Sequence, residues 1–366
     1  MARMGSRPWI WTIFILAVIA AGCNSDSLPE TPTEASPKDA GNRILRVYNW
    51  DTYIDPDILT DFEQKYDVKI EYMVFDSDDD VVSELESGAT DRYDLIVPSD
   101  FNVSVLRSKR LLAPLDKESI PNFVNIDPLF VSPVFDPANR YCAPYQWGTV
   151  GIGYDIDATG EEIDSWADFF NPAYAGRVAM LDDDRTTMGI ILILLGYSPN
   201  TTNAGEIAEA AEFLKTQREL GLAITGDESQ DLLLDGSYDL VLEWSGDIFQ
   251  LMAENSNIRY TIPAEGSIIR VDNMCIPADA PNKAMAEQFI DYILDPEVGA
   301  ILSNYVQYGT PNKESLPLIN VFDLNNPAIY PPDSVRDRLF FLVDVNLAAA
   351  EVYNQAWEEI LAQQES

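Results

Sequence analysis

Short apolar segments alternate with amphipathic ones, and this alternation constrains the fold more than any other feature of the sequence. Ile44–Tyr48, Val68–Phe75 and Leu95–Val97 are strand-like runs. Between the first two, Asp55-Pro56 offers a helix N-cap followed by proline at the first helical position. Strands that alternate with helices predict an α/β fold with a parallel sheet.

A second region of the chain repeats this pattern. Val178–Leu181 is a predicted strand, Ile207–Leu220 a predicted amphipathic helix, and Tyr238–Leu242 a strand whose sequence echoes Tyr93–Val97. A chain of 366 residues exceeds the size of a usual single core. We therefore expect two similar α/β lobes.

Polar and aromatic residues follow four of the predicted strands directly. They are Trp50, Ser99, Asp182–Asp184, and Trp244 with Asp247. In open α/β sheets ligands bind at the carboxyl ends of strands. The sequence therefore predicts a ligand cleft between the lobes.

The charged residues exclude several functions. The chain has 61 acidic residues, 23 basic residues and no histidine, with a formal net charge of −38. Nucleic-acid binding, Ser-His-Asp catalysis and histidine-ligated zinc are therefore not expected. A hydrolase that uses Asp183 and Asp247 remains an alternative, and Asp182–Asp184 could be a plain acidic turn or a calcium loop.

Aromatic and acidic residues together form the candidate binding site. Aromatic faces attract cations, and carboxylates accept charge-assisted hydrogen bonds from ammonium groups. Such a site fits a cation with an apolar stem, although core packing and helix capping are alternatives for any single residue. The candidates are Trp50, Asp51, Tyr53, Phe101, Asp183, Trp244, Asp247, Asp272 and Tyr308.

The N-terminal segment has the features of an export signal. Arg3 and Arg7 precede the short apolar run Trp9–Ala21, and small residues lead to Cys23. This predicts a lipoprotein signal peptide over residues 1–22 with lipidation of Cys23; a plain signal peptide is the alternative. Residues 23–42 are rich in Pro, Ser, Thr and acids, which predicts a disordered tether.

Several stretches resemble the spermidine/putrescine-binding proteins of bacterial polyamine ABC importers. The resemblance begins near Leu45 and runs in order to the C-terminus. It implies a two-lobed type II periplasmic-binding-protein fold, and it assigns Ser99 and, apart from Asp51, the aromatic and acidic candidates above to the ligand site. The stretches are YNWDTYIDPDIL, YDLIVPSDF, FDPANRYCAPYQWGTVGIGYD, SWADFFNPAYAGRVAMLDDDR, EWSGDIF and QYGTPN.

The resemblance also implies where the chain crosses between lobes. The first lobe would comprise residues 43–148 plus 271–314, and the second 149–270 plus 315–366. The crossing segments would contain Cys142 and Cys275. These cysteines either form a disulfide across the hinge or remain two buried free thiols.

Three positions depart from the family pattern. Thr186 replaces an acid, Arg270 an aromatic residue and Leu342 a glutamine. Thr186 and Arg270 are therefore candidates for ligand selectivity. If Arg270 faces the ligand, it would repel a second ammonium group and favour a carboxylate; alternatively it points away or pairs with an aspartate.

The resemblance implies a lipid-anchored substrate-binding protein that delivers a small cationic amine to a membrane permease. We expect no enzymatic activity, no cofactor or metal, and a monomer on the periplasmic or cell-surface side of the membrane. Two alternatives stay open. The solute could be another amine or a zwitterion, such as an opine, a thiamine-like compound or an amino acid, or the protein could be a sensor that presents its ligand to a receptor.

Overall fold

The computed structural model describes residues 43–75, 77–226 and 228–362. The predicted signal peptide (1–22) and tether (23–42), with the lipidation site Cys23, lie outside these residues. Within the described ranges no helix combines the length and the apolar character needed to cross a membrane.

The strands lie close to their predicted positions. β1 continues two residues beyond the predicted end at Tyr48, so that Trp50 is its last residue, and β5 has the predicted bounds. In the described part of the chain the strands are β1 (Ile44–Trp50), β2 (Lys69–Phe75), β3 (Leu95–Ile96), β4 (Cys142–Asp155), β5 (Val178–Leu181), β6 (Ala223–Thr225), β7 (Leu240–Trp244), β8 (Ile258–Thr261), β9 (Ser267–Cys275) and β10 (Leu339–Phe341).

Several helices begin at polar residues whose side chains cap them. Asp55 accepts a hydrogen bond from the Asp57 N–H, which confirms the predicted cap. Asn203 caps a helix that begins at Ala204, three residues before the predicted Ile207. The α-helices of the described residues are α1 (Pro56–Tyr66), α2 (Asp78–Glu86), α3 (Asp100–Ser108), α4 (Ile156–Thr159), α5 (Trp166–Phe169), α6 (Asp184–Leu194), α7 (Ala204–Glu219), α8 (Ser229–Leu234), α9 (Ser245–Glu254), α10 (Lys283–Ile293), α11 (Pro296–Val306), α12 (Val321–Leu324), α13 (Asp333–Arg336) and α14 (Leu347–Leu361).

The strands join in the order β2-β1-β3-β9-β4-β7-β5-β6, with β10 on β9 and β8 on β4. The α/β class is confirmed, but the sheet is mixed rather than parallel. β1 pairs in parallel with β2 and β3, and β5 with β6 and β7, as the strand–helix alternation predicts. The middle is antiparallel, because β4 runs opposite to β7, β8 and β9.

Two groups of buried apolar residues share strand β4. Its first half contributes Tyr145 and Trp147 to the core around β1, whereas Val150 and Ile152 belong to the core around β5 and β7. β9 is shared in the same way, because Ile268 packs in the second core and Ile269 in the first. One ladder, formed by β4 and β9, thus connects both cores.

A disulfide bond closes one end of the β4–β9 ladder. Cys142 and Cys275 lie directly opposite each other in the register, with a Cα–Cα distance of 4.4 Å. That separation is typical of a non-hydrogen-bonded antiparallel pair, in which side chains approach closely. Of the two alternatives that the sequence left open, the structure shows the bridge.

Candidate functional site

The residues predicted to follow strands lie at the strand ends, as expected. Trp50 and Trp244 are the last residues of β1 and β7. Ser99 follows β3 and precedes α3, and Asp183 follows β5 and caps α6. All four positions lie close to strand β9, which carries Asp272.

Asp272 is held by a tyrosine. It lies on β9 with 9% of its surface exposed, and its Oδ2 accepts a hydrogen bond of 2.8 Å from the Tyr53 hydroxyl. Burial, reinforced by the Asp272 charge, raises the pKa of Tyr53 well above its usual value. The hydroxyl therefore stays protonated, and it fixes the carboxylate as an acceptor.

Ser99 lies beside this carboxylate through backbone pairing. Ser99 and Asp272 form an isolated antiparallel bridge, and the Asn273 N–H donates to the Pro98 carbonyl over 2.9 Å. Ser99 is 1% exposed. The segment that follows β3 is thus attached directly to the strand that carries the central acid.

Tyr308 connects this carboxylate to a second one. Its ring lies 5.3 Å from that of Tyr53, nearly perpendicular, and its hydroxyl donates to Asp247 Oδ2 over 3.4 Å. Burial, with Asp247 and Asp272 nearby, raises the pKa of Tyr308 well above its usual value. We call Tyr53, Asp272, Tyr308 and Asp247 the tyrosine–aspartate cluster.

Two glycines make room for the Tyr308 ring. A Cβ atom at Gly148 would lie 2.7 Å from Tyr308 Cε1, and one at Gly246 would overlap the ring on its other edge. Neither position therefore has space for a side chain while the ring remains in place. Tyr308 can occupy this position because β4 and the first turn of α9 each have a glycine, without a side chain, beside the ring.

Arg270 lies between the two tryptophans. Its guanidinium carbon is 4.8 Å from the Trp244 ring centroid and 5.8 Å from that of Trp50, within cation–π range. Its Nη1 is 3.7 Å from Asp183 Oδ2. We call Arg270, Trp50, Trp244 and Asp183 the arginine–tryptophan cluster.

Three predicted residues have other contacts. Phe101 lies 5.7 Å from the guanidinium carbon of Arg185, and the buried Thr186 donates its N–H to Asp183 Oδ1 over 2.9 Å. Asp51 is exposed and accepts a hydrogen bond from the N–H of Thr52. Leu342, at the third departure from the family pattern, packs in the core around β5.

Comparison with known proteins identifies the family. Residues 57–327 match the model for bacterial extracellular solute-binding proteins. The chain belongs to this family.

Three relatives of this solute-binding protein illustrate the likeness. The spermidine/putrescine-binding and putrescine-binding periplasmic proteins of Escherichia coli are 32% and 34% identical to it, each over 88% of this chain and 92% of their own. A solved structure described as a spermidine/putrescine ABC transporter from Listeria monocytogenes has a TM-score of 0.80 and 34% identity. That alignment covers 87% of this chain and 99% of the other.

The sequence analysis missed two residues that support the site of this solute-binding protein. The Tyr145 hydroxyl donates to the Tyr53 carbonyl over 2.6 Å. The backbone N–H of Trp244 donates to Oε1 of the buried Glu243 over 2.9 Å. Glu243 directly precedes the predicted site residue Trp244 in the stretch EWSGD, and Tyr145 lies in the stretch APYQWG. Their polar groups next to apolar strand residues were the available signal.

Proposed function

We propose that this protein is an extracytoplasmic substrate-binding lipoprotein that captures a polyamine of the spermidine/putrescine type and delivers it to an ABC importer. The observation that carries the proposal is the tyrosine–aspartate cluster, where two carboxylates lie beside aromatic rings. This is the chemistry that a primary ammonium group on an apolar stem requires.

The cluster offers an ammonium ion both charge-assisted hydrogen bonds and cation–π attraction. A carboxylate accepts short charge-assisted hydrogen bonds from an ammonium group. The faces of Tyr53 and Tyr308 add attraction for a cation, typically about 0.5–2 kcal/mol per ring. The names of the two E. coli relatives support a polyamine ligand for this chain as well.

Binding would work through closure of two lobes rather than through turnover. We assign residues 43–148 plus 271–314 to the first lobe and 149–270 plus 315–366 to the second. The ligand would stabilise the closed arrangement because it contacts both lobes, for example Asp272 in the first and Asp247 in the second. The closed, monomeric form would then dock on the membrane permease.

Ligand capture can be tested by thermal unfolding. Millimolar putrescine or spermidine should raise the melting temperature, because a ligand that binds only the folded protein stabilises it by mass action. Butane-1,4-diol, which has the chain length of putrescine but no charge, should leave the melting temperature unchanged. Stabilisation by amino acids or opines with no response to either polyamine would contradict the proposal.

The lipid anchor can be tested separately in cells. Cys23→Ser should move the protein from the membrane fraction to the soluble extracytoplasmic fraction, because the acyl chains are the proposed attachment. The same replacement has no reason to change ligand affinity. A Cys23→Ser protein that still sediments with membranes would show that another segment anchors it.

A further inference from the structure

Arg270 and Asp272 share one face of the β4–β9 ladder. They lie two residues apart on β9, so their side chains point to the same side, roughly 7 Å apart along the strand. Arg270 is paired across the ladder with Gly148, and the Tyr308 ring covers that glycine. The arginine–tryptophan cluster and the tyrosine–aspartate cluster are therefore immediate neighbours.

The Arg270 guanidinium already occupies the space beside the Trp50 and Trp244 rings. It lies within 6 Å of both tryptophan centroids, where it takes the attraction that those rings would offer to a ligand cation. Only 20% of the Arg270 side chain is exposed. Since arginine stays charged at every physiological pH, this cation is permanent.

Asp183, the carboxylate beside Arg270, already has partners as well. Asp183 faces the guanidinium over 3.7 Å and accepts the Thr186 N–H with its other oxygen. A ligand ammonium group that approached Asp183 would meet Arg270 at the same place. Like charges in contact across a binding site typically cost several kcal/mol.

A ligand carboxylate is the less suitable partner for Arg270. The guanidinium already has a carboxylate neighbour in Asp183 and two ring faces beside it. The two carboxylates of the tyrosine–aspartate cluster, by contrast, match two ammonium groups in charge. The arrangement therefore disfavours a ligand with a third positive charge, and it does not favour a ligand with a negative charge.

We propose that Arg270 is a specificity-determining residue that restricts the ligand to a short diamine held at the tyrosine–aspartate cluster. A longer triamine is disfavoured because its third ammonium group meets the guanidinium between Trp50 and Trp244. This inference rests on the proposed function, since it assumes an amine ligand, and it narrows that ligand to one class.

Isothermal titration with putrescine and spermidine tests this inference. We expect the protein to bind putrescine at least about tenfold more tightly than spermidine, in line with the cost of one repelled charge. Arg270→Gln should reduce this ratio by about tenfold, mainly by improving spermidine binding. Arg270→Lys keeps the charge and should keep the preference for putrescine.

Arg259→Gln is the matched control. Arg259 lies on β8, where its guanidinium binds backbone carbonyls, so this variant removes the same net charge from another strand. It should leave the ratio unchanged. If Arg259→Gln shifted the ratio as much as Arg270→Gln, overall charge rather than Arg270 would determine selectivity, and the inference would fail.

The remaining outcomes separate the two proposals. Equal binding of putrescine and spermidine by the unmodified protein would overturn this inference alone. Tighter binding of 4-aminobutyrate, which has a carboxylate in place of one ammonium group, would also overturn it, because Arg270 would then hold an anion. If neither amine bound the unmodified protein or Arg270→Gln, the proposed function would fail together with the inference.

Discussion

Asp272→Asn should weaken amine binding by about 2–5 kcal/mol, which corresponds to a loss of roughly 30-fold to several thousand-fold in affinity. The asparagine has nearly the same shape, but it leaves the buried ammonium group of the ligand without its opposite charge. Tyr53 can still donate to the amide oxygen, so the local structure should persist. Isothermal titration with putrescine measures the effect.

Asp51→Asn is the control for this experiment. Asp51 is exposed and binds the backbone N–H of Thr52, so its replacement removes the same charge at a solvated position. We expect its affinity to change less than threefold, because surface charges are screened by water and salt. Equal losses in the two variants would show that Asp272 is not the central acceptor.

Removal of the disulfide should have the largest effect on stability. The bond joins residues separated by 133 positions, and chain-entropy arguments give about 4–5 kcal/mol for loops of this order. Replacing both cysteines with alanine should therefore lower the free energy of unfolding by an amount approaching this value. Denaturant titration of the double variant and the oxidised protein provides the measurement.

Reduction of the disulfide separates the effect of the bond on stability from the effect of replacing the two cysteine side chains. It should destabilise the unmodified protein to a similar degree and leave the unfolding curve of the double variant unchanged. Amine affinity should change little in either case, because the bridge lies at the end of the ladder and is buried away from the clusters. A double variant as stable as the oxidised protein would contradict the entropic argument.

Local features of the fold were predictable because short-range chemistry determines them. Asp55-Pro56 specifies a helix start through one side-chain acceptor and one fixed φ angle, and α1 begins there. The antiparallel centre was not predictable in this way. It depends on the pairing of β4 with strands about 100 residues further along the chain, such as β7 and β9, and no local pattern encodes that pairing.

The disulfide illustrates the limit set by register. The resemblance placed Cys142 and Cys275 on neighbouring strands, but a shift of one residue would have turned the two side chains to opposite faces. The ladder shows an irregularity between Pro144 and Gln146, close to this pair. The sequence alone does not fix such a shift, so it left both the bridge and the free thiols open.

The orientation of Arg270 was accessible from the sequence. Side chains alternate along a strand, so residues 270 and 272 of one strand necessarily share a face. If Asp272 faces the ligand, Arg270 does so too. Its contact with both tryptophans, in contrast, requires the ends of β1 and β7 both to lie close to β9, which is a long-range property.

The packing of Tyr308 against two glycines has a consequence for the history of the family. A larger residue at position 246 or 148 and an aromatic ring at position 308 compete for the same volume. Substitutions at these three positions should therefore covary among members of the family. A lineage that gained a side chain at either glycine would first have had to lose the ring, and with it the bridge between the two acids.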